Sequence, residues 1–351
     1  MGLNFRSGLK DLSASTQMKI LILRFSSIGD IVLTTPAVRA IKTQVDEAEV
    51  HVAVKAQYVG LWADNPYVDK IHALHSSLNE LITRLQAEHF DVVIDLHNNL
   101  RTRIVKFRLG VPAHSFNKLN WKKWLIVNLK INRLPNVHIV DRYLAAAAPL
   151  GVKPDALGLD YFIPEKDEVP LDWLPETHRS GYVAYAIGAQ HETKKLPLKR
   201  MIELCDKINK PIVLLGGKED GANGEAIEKF FNRSGSSGME EGLTELNKKT
   251  VVFNGCGKYN LNQSASILRQ ATVVFSHDTG LMHIAAALQK EVFSIWGNTI
   301  PSFGMYPYRT RFTVLEKQGL SCRPCSKIGH HRCPKGHFKC MNEMQFDFYL
   351  P

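Results

Sequence analysis

The sequence predicts two α/β domains, each built on a parallel sheet, facing each other across a cleft. Three observations lead there. At 351 residues the chain is too long for one ordinary doubly wound domain and suits two of roughly 150 to 200 residues each. Short β-rich runs alternate with segments whose apolar residues recur every three or four positions, the pattern of parallel strands joined by helical crossovers. The alternation breaks between Gly151 and Gly181, where Pro154, Pro164, Pro170 and Pro175 punctuate a polar stretch that reads as a linker.

The elements follow in order. In the first half, residues 19–25, 50–54 and 91–96 read as strands, and 36–44, 78–89 and 137–149 as amphipathic helices. In the second half the strands are 182–187, 211–215, 251–253, 272–275 and 292–296, with helices at 198–208, 261–269 and 281–289. The expected domains are 18–165 and 166–351, the latter ending in a cysteine-rich segment. Residues 1–17 precede the first strand and read as a flexible extension. Their charges Arg6, Lys10 and Asp11 flank no apolar core, so they make no secretion signal. No apolar run nears the roughly 18 residues of a bilayer-spanning helix, and a cytoplasmic protein is expected.

Apolar residues at 44% and charged ones at 22% describe a chain able to bury a sizeable core, which excludes disordered and fibrous classes. With 44 Lys and Arg against 34 Asp and Glu, the net charge of +10 favours an anionic partner: nucleic acid, a phosphorylated substrate or an acidic membrane face. The basic groups at 101–108, 118–123 and 194–200 read equally well as solvated surface.

Ligands of open parallel sheets bind beyond the carboxyl ends of the strands, so the turns there carry the functional expectation. The first strand runs into Ser26-Ser-Ile-Gly-Asp30, which opens a helix. Asp30, backed by Ile28 and Ile31, is expected to be partly desolvated with a raised pKa, as suits a general base for a sugar hydroxyl; a plain helix cap is the alternative. Gly29 stands outside any GxGxxG pattern, which argues against a dinucleotide cofactor. In the second half, Phe275-Ser-His-Asp-Thr-Gly-Leu-Met-His283 reads as a strand, a polar turn and a helix start. Asp278, Thr279 and Gly280 leave backbone N–H groups free there for a diphosphate, and His283 faces the same anion or is a core histidine. Lys194 follows the strand 182–187 and can neutralise a departing diphosphate, or it and Lys195 are merely solvated. Gly216-Gly-Lys-Glu-Asp220 ends another strand, where glycine allows close approach of a ribose or base, or forms a plain turn.

Together these stretches resemble family 9 glycosyltransferases, the heptosyltransferases of the lipopolysaccharide inner core. The matching segments are Lys19-Ile-Leu-Ile-Leu-Arg-Phe-Ser-Ser-Ile-Gly-Asp-Ile-Val-Leu-Thr-Thr-Pro36, Asp95-Leu-His-Asn-Asn-Leu-Arg101, His138-Ile-Val-Asp-Arg-Tyr143, residues 194–197, and Ser276-His-Asp-Thr-Gly-Leu-Met-His283. The resemblance covers nearly the whole chain from Met18. It implies a GT-B fold of two Rossmann-like domains, the first binding the acceptor and the second the nucleotide sugar, and inversion at the anomeric carbon with no metal or other cofactor. Asp30 matches the family's base and Lys194 its phosphate-contacting lysine. Asp278, Thr279, Gly280, Leu281 and His283, with Gly216, Gly217 and Glu219, would hold the donor. Ser27 and Gly29 lie on the acceptor side, and Arg101 and Arg103, just past the third strand, are placed to hold acceptor phosphates or carboxylates or are solvated. The implied partners are an ADP-sugar and a lipid-linked anionic saccharide, not nucleic acid. The basic first half, with Trp121 and Trp124, would rest on the cytoplasmic face of the inner membrane. Two departures matter: Leu196 stands where the family usually has an aromatic, and Gly297-Asn-Thr-Ile-Pro301 replaces the usual Gly-Pro-Thr continuation, leaving donor sugar and base open.

Cys322, Cys325, Cys333 and Cys340 alternate with His330, His331 and His337 at spacings that allow structural zinc, and equally a reduced thiol cluster or a packed loop. Two other function classes fit parts of the chain. A zinc-bearing nucleic-acid-binding protein would explain the charge and the cysteines but not the cleft motifs. A sugar-nucleotide epimerase can share the two-domain architecture.

Overall fold

The computed structural model describes residues 17–233 and 249–350, so the expected extension lies outside the described residues except for Gln17. Five parallel strands form the first sheet: β1 (Met18–Leu23), β2 (Ala48–Lys55), β3 (Lys70–Leu74), β4 (Val92–Asp95) and β5 (Ala113–Ser115), in the order β3-β2-β1-β4-β5. Six form the second: β6 (Val183–Ala186), β7 (Ile212–Leu215), β8 (Val252–Asn254), β9 (Val274–His277), β10 (Val292–Trp296) and β11 (Phe312–Glu316), ordered β11-β10-β9-β6-β7-β8 and again all parallel. This is the expected pair of α/β domains. Strand order reverses between β1 and β4 in one sheet and between β6 and β9 in the other, which is where such sheets open a crevice for ligands.

Central strands such as β1 and β6 are short, mostly apolar runs buried on both faces over most of their length. The helix Leu198–Ile208 buries Met201, Leu204, Cys205 and Ile208, one stripe of its surface, and left-handed Asn209 ends it. The single helix expected after the first turn is instead two, Ile28–Val32 and Thr35–Gln44. Pro36 has no N–H to give an earlier turn, so it sits in the first turn of the second helix. The strands not foreseen, β3, β5 and β11, are all at sheet edges. The helices Leu100–Leu109 and Asn120–Asn128 were also hidden, because Leu100, Ile104, Phe107, Trp121 and Trp124 point to solvent and blur the apolar period.

The halves share packing. One apolar cluster includes Ile20, Val140 and Tyr143 from the first half and Tyr182, Val274 and Met282 from the second. The segment that opens the helix Ile139–Ala147 straps onto residues 303–308. Ile139 N–H donates to Gly304 O at 2.8 Å, Arg142 Nη2 to Phe303 O at 3.2 Å and Tyr308 O–H to Asp141 Oδ1 at 2.9 Å. His138 Nε2 lies 2.9 Å from Tyr306 O. The stretch His138-Ile-Val-Asp-Arg-Tyr143 thus holds the two sheets together. Between β5 and β6 the linker is tied back to the first domain by buried Arg39, which forks onto Asp155 at 2.8 Å and also pairs with Asp160.

Candidate active site

The structure brings the turn after β1 and the turn after β9 into contact. A Cβ on Gly29 would lie 2.6 Å from His283 Cδ2, and one on Gly280 would lie 2.6 Å from Ile28 Cγ2. A side chain at either glycine would have to displace the His283 ring or Ile28, and its absence lets the two helix starts meet.

On the first side Asp30 uses both carboxylate oxygens. Oδ2 accepts Ser27 N–H at 3.2 Å and Ser27 Oγ–H at 2.9 Å, closing a capping box, so the helix-cap alternative describes half of what this residue does. Oδ1 lies 2.6 Å from Arg24 Nη2, and the carboxylate remains 22% exposed. Arg24 is fixed in turn: Nε donates to Ser26 O at 2.8 Å, Nη1 to Leu96 O at 2.5 Å and to Tyr143 Oη at 3.0 Å. The expected rise in the pKa of Asp30 is therefore reversed. Burial alone would raise it, but the Arg24 guanidinium and the two Ser27 hydrogen bonds outweigh burial and hold it below the usual carboxylate range. Arg24 was missed in the sequence, where its signal was a lone cation closing an apolar strand.

On the second side Lys194 Nζ pairs with Asp278 Oδ2 at 2.6 Å and donates to Asp278 O at 3.3 Å, while Thr299 Oγ1 donates to the same carboxylate oxygen at 2.9 Å. Thr279 occupies the N-cap of the helix Gly280–Ala287 without a side-chain bond to it, so the helix's first N–H groups are uncapped. Leu281 is half-buried against the shared core. His283 is buried, burial pushes its pKa down to about 4, and its Nδ1 has no hydrogen-bond partner among the described residues. The ring is neutral and lies between the two turns. Leu196, in the place of the expected aromatic, is buried and donates its N–H to His277 Nε2 at 3.0 Å.

At the end of β7, Gly217 N–H donates to Asp220 Oδ2 at 3.0 Å, and Lys195 Nζ lies 3.4 Å from Asp220 Oδ1. Gly216 also packs against the Asp220 side chain, while Glu219 stays exposed over Gly217. Asp220, which the sequence did not single out, thus shapes this turn from beneath.

Arg101 lines a polar cavity of about 470 Å³ with Lys55, Gln57 and His75 that includes neither Ser27 nor Asp30, and Arg103 is exposed. The cations that feel Asp30 are others: Arg24, Lys118 and Lys123. Burial, then neighbouring Arg142, lowers Lys123 to about 8, and Lys327 from the cysteine-rich segment adds to the same positive group. His97, lowered to about 4 by burial, stands beside it. Another cavity, of about 590 Å³, lies against the lysine loop and is lined by Lys195, Leu196, Asn223, Arg332 and Phe338. It includes none of Asp30, Asp278, Gly280 and His283, so it is not the groove between the turns.

All six cysteines are free. Cys322 Sγ lies 3.9 Å from His337 Nε2, and Cys325 S–H donates to Cys322 O at 3.1 Å. Among the described residues, no three of the tail's thiols and histidines come within shared metal-ligand reach.

A model of glycosyltransferase family 9 (heptosyltransferase) matches residues 78–334. Lipooligosaccharide heptosyltransferase 2 of Haemophilus ducreyi is 26% identical over 310 residues, covering 82% of this chain and 85% of that protein. The crystal structure of a family 9 glycosyl transferase from Veillonella parvula aligns with a TM-score of 0.65 at 21% identity, covering 86% of each chain. The Escherichia coli ADP-heptose lps heptosyltransferase II aligns with a TM-score of 0.64 at 19% identity, covering 93% of this chain and 98% of the other.

Proposed function

The chain belongs to glycosyltransferase family 9 (heptosyltransferase) and is a glycosyltransferase; from that premise we propose that it moves a heptose from ADP-heptose to the inner core of lipopolysaccharide, inverting the anomeric carbon without a metal or other cofactor. The observation that carries this is the meeting of Asp30 and the Lys194–Asp278 pair across the Gly29–Gly280 contact. With the acceptor on one wall and the donor on the other, nucleophile and leaving group lie on opposite sides of the sugar, as a single in-line displacement requires. The acceptor oxygen forms its bond to the anomeric carbon, its proton goes to Asp30, and the broken C–O bond's electron pair leaves with ADP. Arg24 keeps Asp30 ionised, hence ready to accept that proton at neutral pH. Lys194 and the uncapped N–H groups at Gly280 take up charge on the departing diphosphate, the work a metal would otherwise do. Gly216, Gly217 and Glu219 would border the nucleoside, and Ser27, Lys118, Lys123 and Arg142 the acid groups of the acceptor, with Arg101 and Arg103 farther out.

The acceptor's lipid anchor calls for a membrane-facing surface. Leu100 (73% exposed) and Phe107 (85%) lie on one helix, and Trp121 (68%) stacks on Trp124 at 5.2 Å on the next. Arg101, Arg103, Arg108 and Lys122 are exposed on the same two helices, a combination that suits the anionic cytoplasmic leaflet of the inner membrane. No helix among the described residues is long and apolar enough to cross a membrane. Cys322, Cys325, Cys333 and Cys340 are assigned a structural part, with zinc as their ligand to be tested by metal analysis.

The deciding assay incubates the protein with a panel of nucleotide sugars and truncated lipopolysaccharide acceptors, with and without chelator, and reads acceptor mass and the anomeric configuration of the new bond. A heptose increment from ADP-heptose that survives chelation is expected. No transfer from ADP-heptose, or isomerisation of the free nucleotide sugar without acceptor, would overturn the proposal.

A further inference from the structure

Away from the cleft, the first sheet carries a second group of ligand-bearing side chains. His51 lies mid-strand in β2 two residues before Ala53, and His72 of β3 pairs with Ala53 across the ladder. Both rings thus point to the sheet face covered by Leu81, Ile82 and Leu85, and both are buried against Phe90, with centroids at 5.1 and 6.1 Å. His51 Nδ1 and His72 Nε2 face each other at 3.0 Å. Glu88, which follows the helix Leu78–Gln86, completes the group, with one ligand atom from each residue within 4.8 Å of the others.

The chemistry of this arrangement is specific. Glu49 Oε1 lies 2.7 Å from His51 Nε2 and holds the proton on that nitrogen, which turns the Nδ1 lone pair toward His72. A carboxylate bonded to the outer nitrogen of a histidine is the usual support of a metal-ligating imidazole. Two nitrogens at about 2.0–2.1 Å from one tetrahedral ion stand about 3.3 Å apart, within a few tenths of an ångström of the separation here. We propose that His51, His72 and Glu88 form a structural site for a late first-row divalent cation such as Zn(II), with Glu49 fixing the tautomer and water completing the tetrahedron.

The surroundings set limits on it. Lys70 sits 2.5 Å from Glu88 Oε1, and Lys19 lies 3.7 Å from Glu88 and 3.5 Å from Glu49. Arg84 is close enough to act on His72. Lys70 is 54% exposed and can swing out as the ion enters, but these cations weaken the site, and so does the proton between the two imidazoles, which must leave. The ion would tie the edge strand β3 and the chain after its helix to β2. It lies mid-strand, not at the carboxyl ends, so transferase turnover is not its readout.

Equilibrium dialysis of the full chain against Zn(II), followed by metal analysis, tests this in four proteins: the parent, His72→Asn, Glu88→Gln, and Cys322→Ser/Cys325→Ser, which removes the competing thiols. The parent should bind one equivalent more than His72→Asn, and the double serine variant should retain that equivalent. Co(II) loaded into the double serine variant should show d–d bands without a thiolate charge-transfer band. Glu88→Gln, which keeps the side chain's size and removes its charge, should weaken binding at least about tenfold. Zinc stoichiometry and affinity identical in the parent, His72→Asn and Glu88→Gln would overturn the site, as would no uptake by the double serine variant.

Discussion

The turns after β1 and β9 are built alike and hold their charges differently. Each follows a strand where its sheet's order reverses, each sets an aspartate within two residues of a glycine at a helix start, and each aspartate meets a cation. The anchorage of those cations differs. Arg24 belongs to the same chain segment as Asp30 and is fastened by Ser26, Leu96 and Tyr143. Lys194 comes from the turn Glu192–Lys194 beyond β6, and among the described residues both polar contacts of its ammonium are with Asp278. A fixed guanidinium holds a carboxylate ionised in one place, whereas a lysine held by one aspartate is a charge that can turn to an arriving anion. Motif similarity therefore says where a charge sits, and the partner's anchorage says what it can do.

The largest expected effect tests the first turn. Asp30→Asn should lower kcat by about 10²–10⁴-fold while ADP affinity, read by calorimetry, is unchanged; unaltered turnover would break the comparison. Lys194→Ala should cost about 10²–10³-fold in kcat and weaken ADP as well, and Asp278→Asn should cost less, because the lysine's charge survives. A smaller effect is expected from Gly280→Ala, whose methyl must displace Ile28: about 1–3 kcal/mol of stability, read from the denaturant midpoint. The smallest is a shift in pH dependence. With Asp30 held below the usual carboxylate range, the acid limb of kcat/KM should lie below that range too, and Arg24→Lys, which loses the guanidinium's anchors on Ser26, Leu96 and Tyr143, should move it upward. The same linkage makes stability from this pair complete above the unfolded chain's carboxylate pKa and lost as pH falls through the lowered one. Acid unfolding of Asp30→Asn should lack that component.

Much of this was legible in the residues. The central strands announced themselves as apolar runs, and the helix Leu198–Ile208 was readable to both ends because its buried stripe is unbroken. The contact of the two turns followed from strand ends and glycines. What could not be read depended on side chains far apart in sequence. The lowered pKa of Asp30 rests on a guanidinium six residues back, itself posed by Leu96 and Tyr143. Arg101 looked well placed past the strand 91–96, yet it lines a separate cavity, and the cations that feel the acid are Arg24, Lys118 and Lys123, the last of them on an unforeseen helix. Edge strands such as β5, three residues with two exposed, carry too little apolar pattern to be seen.

The strap between residues 138–142 and 303–308 ends beside Tyr143, whose hydroxyl receives a hydrogen bond from Arg24. A hinge movement that drags this strap would tug the phenol from the guanidinium and loosen the guanidinium's grip on Asp30. Under such a movement the proton affinity of Asp30 would rise, so its titration would report how the two sheets sit against each other.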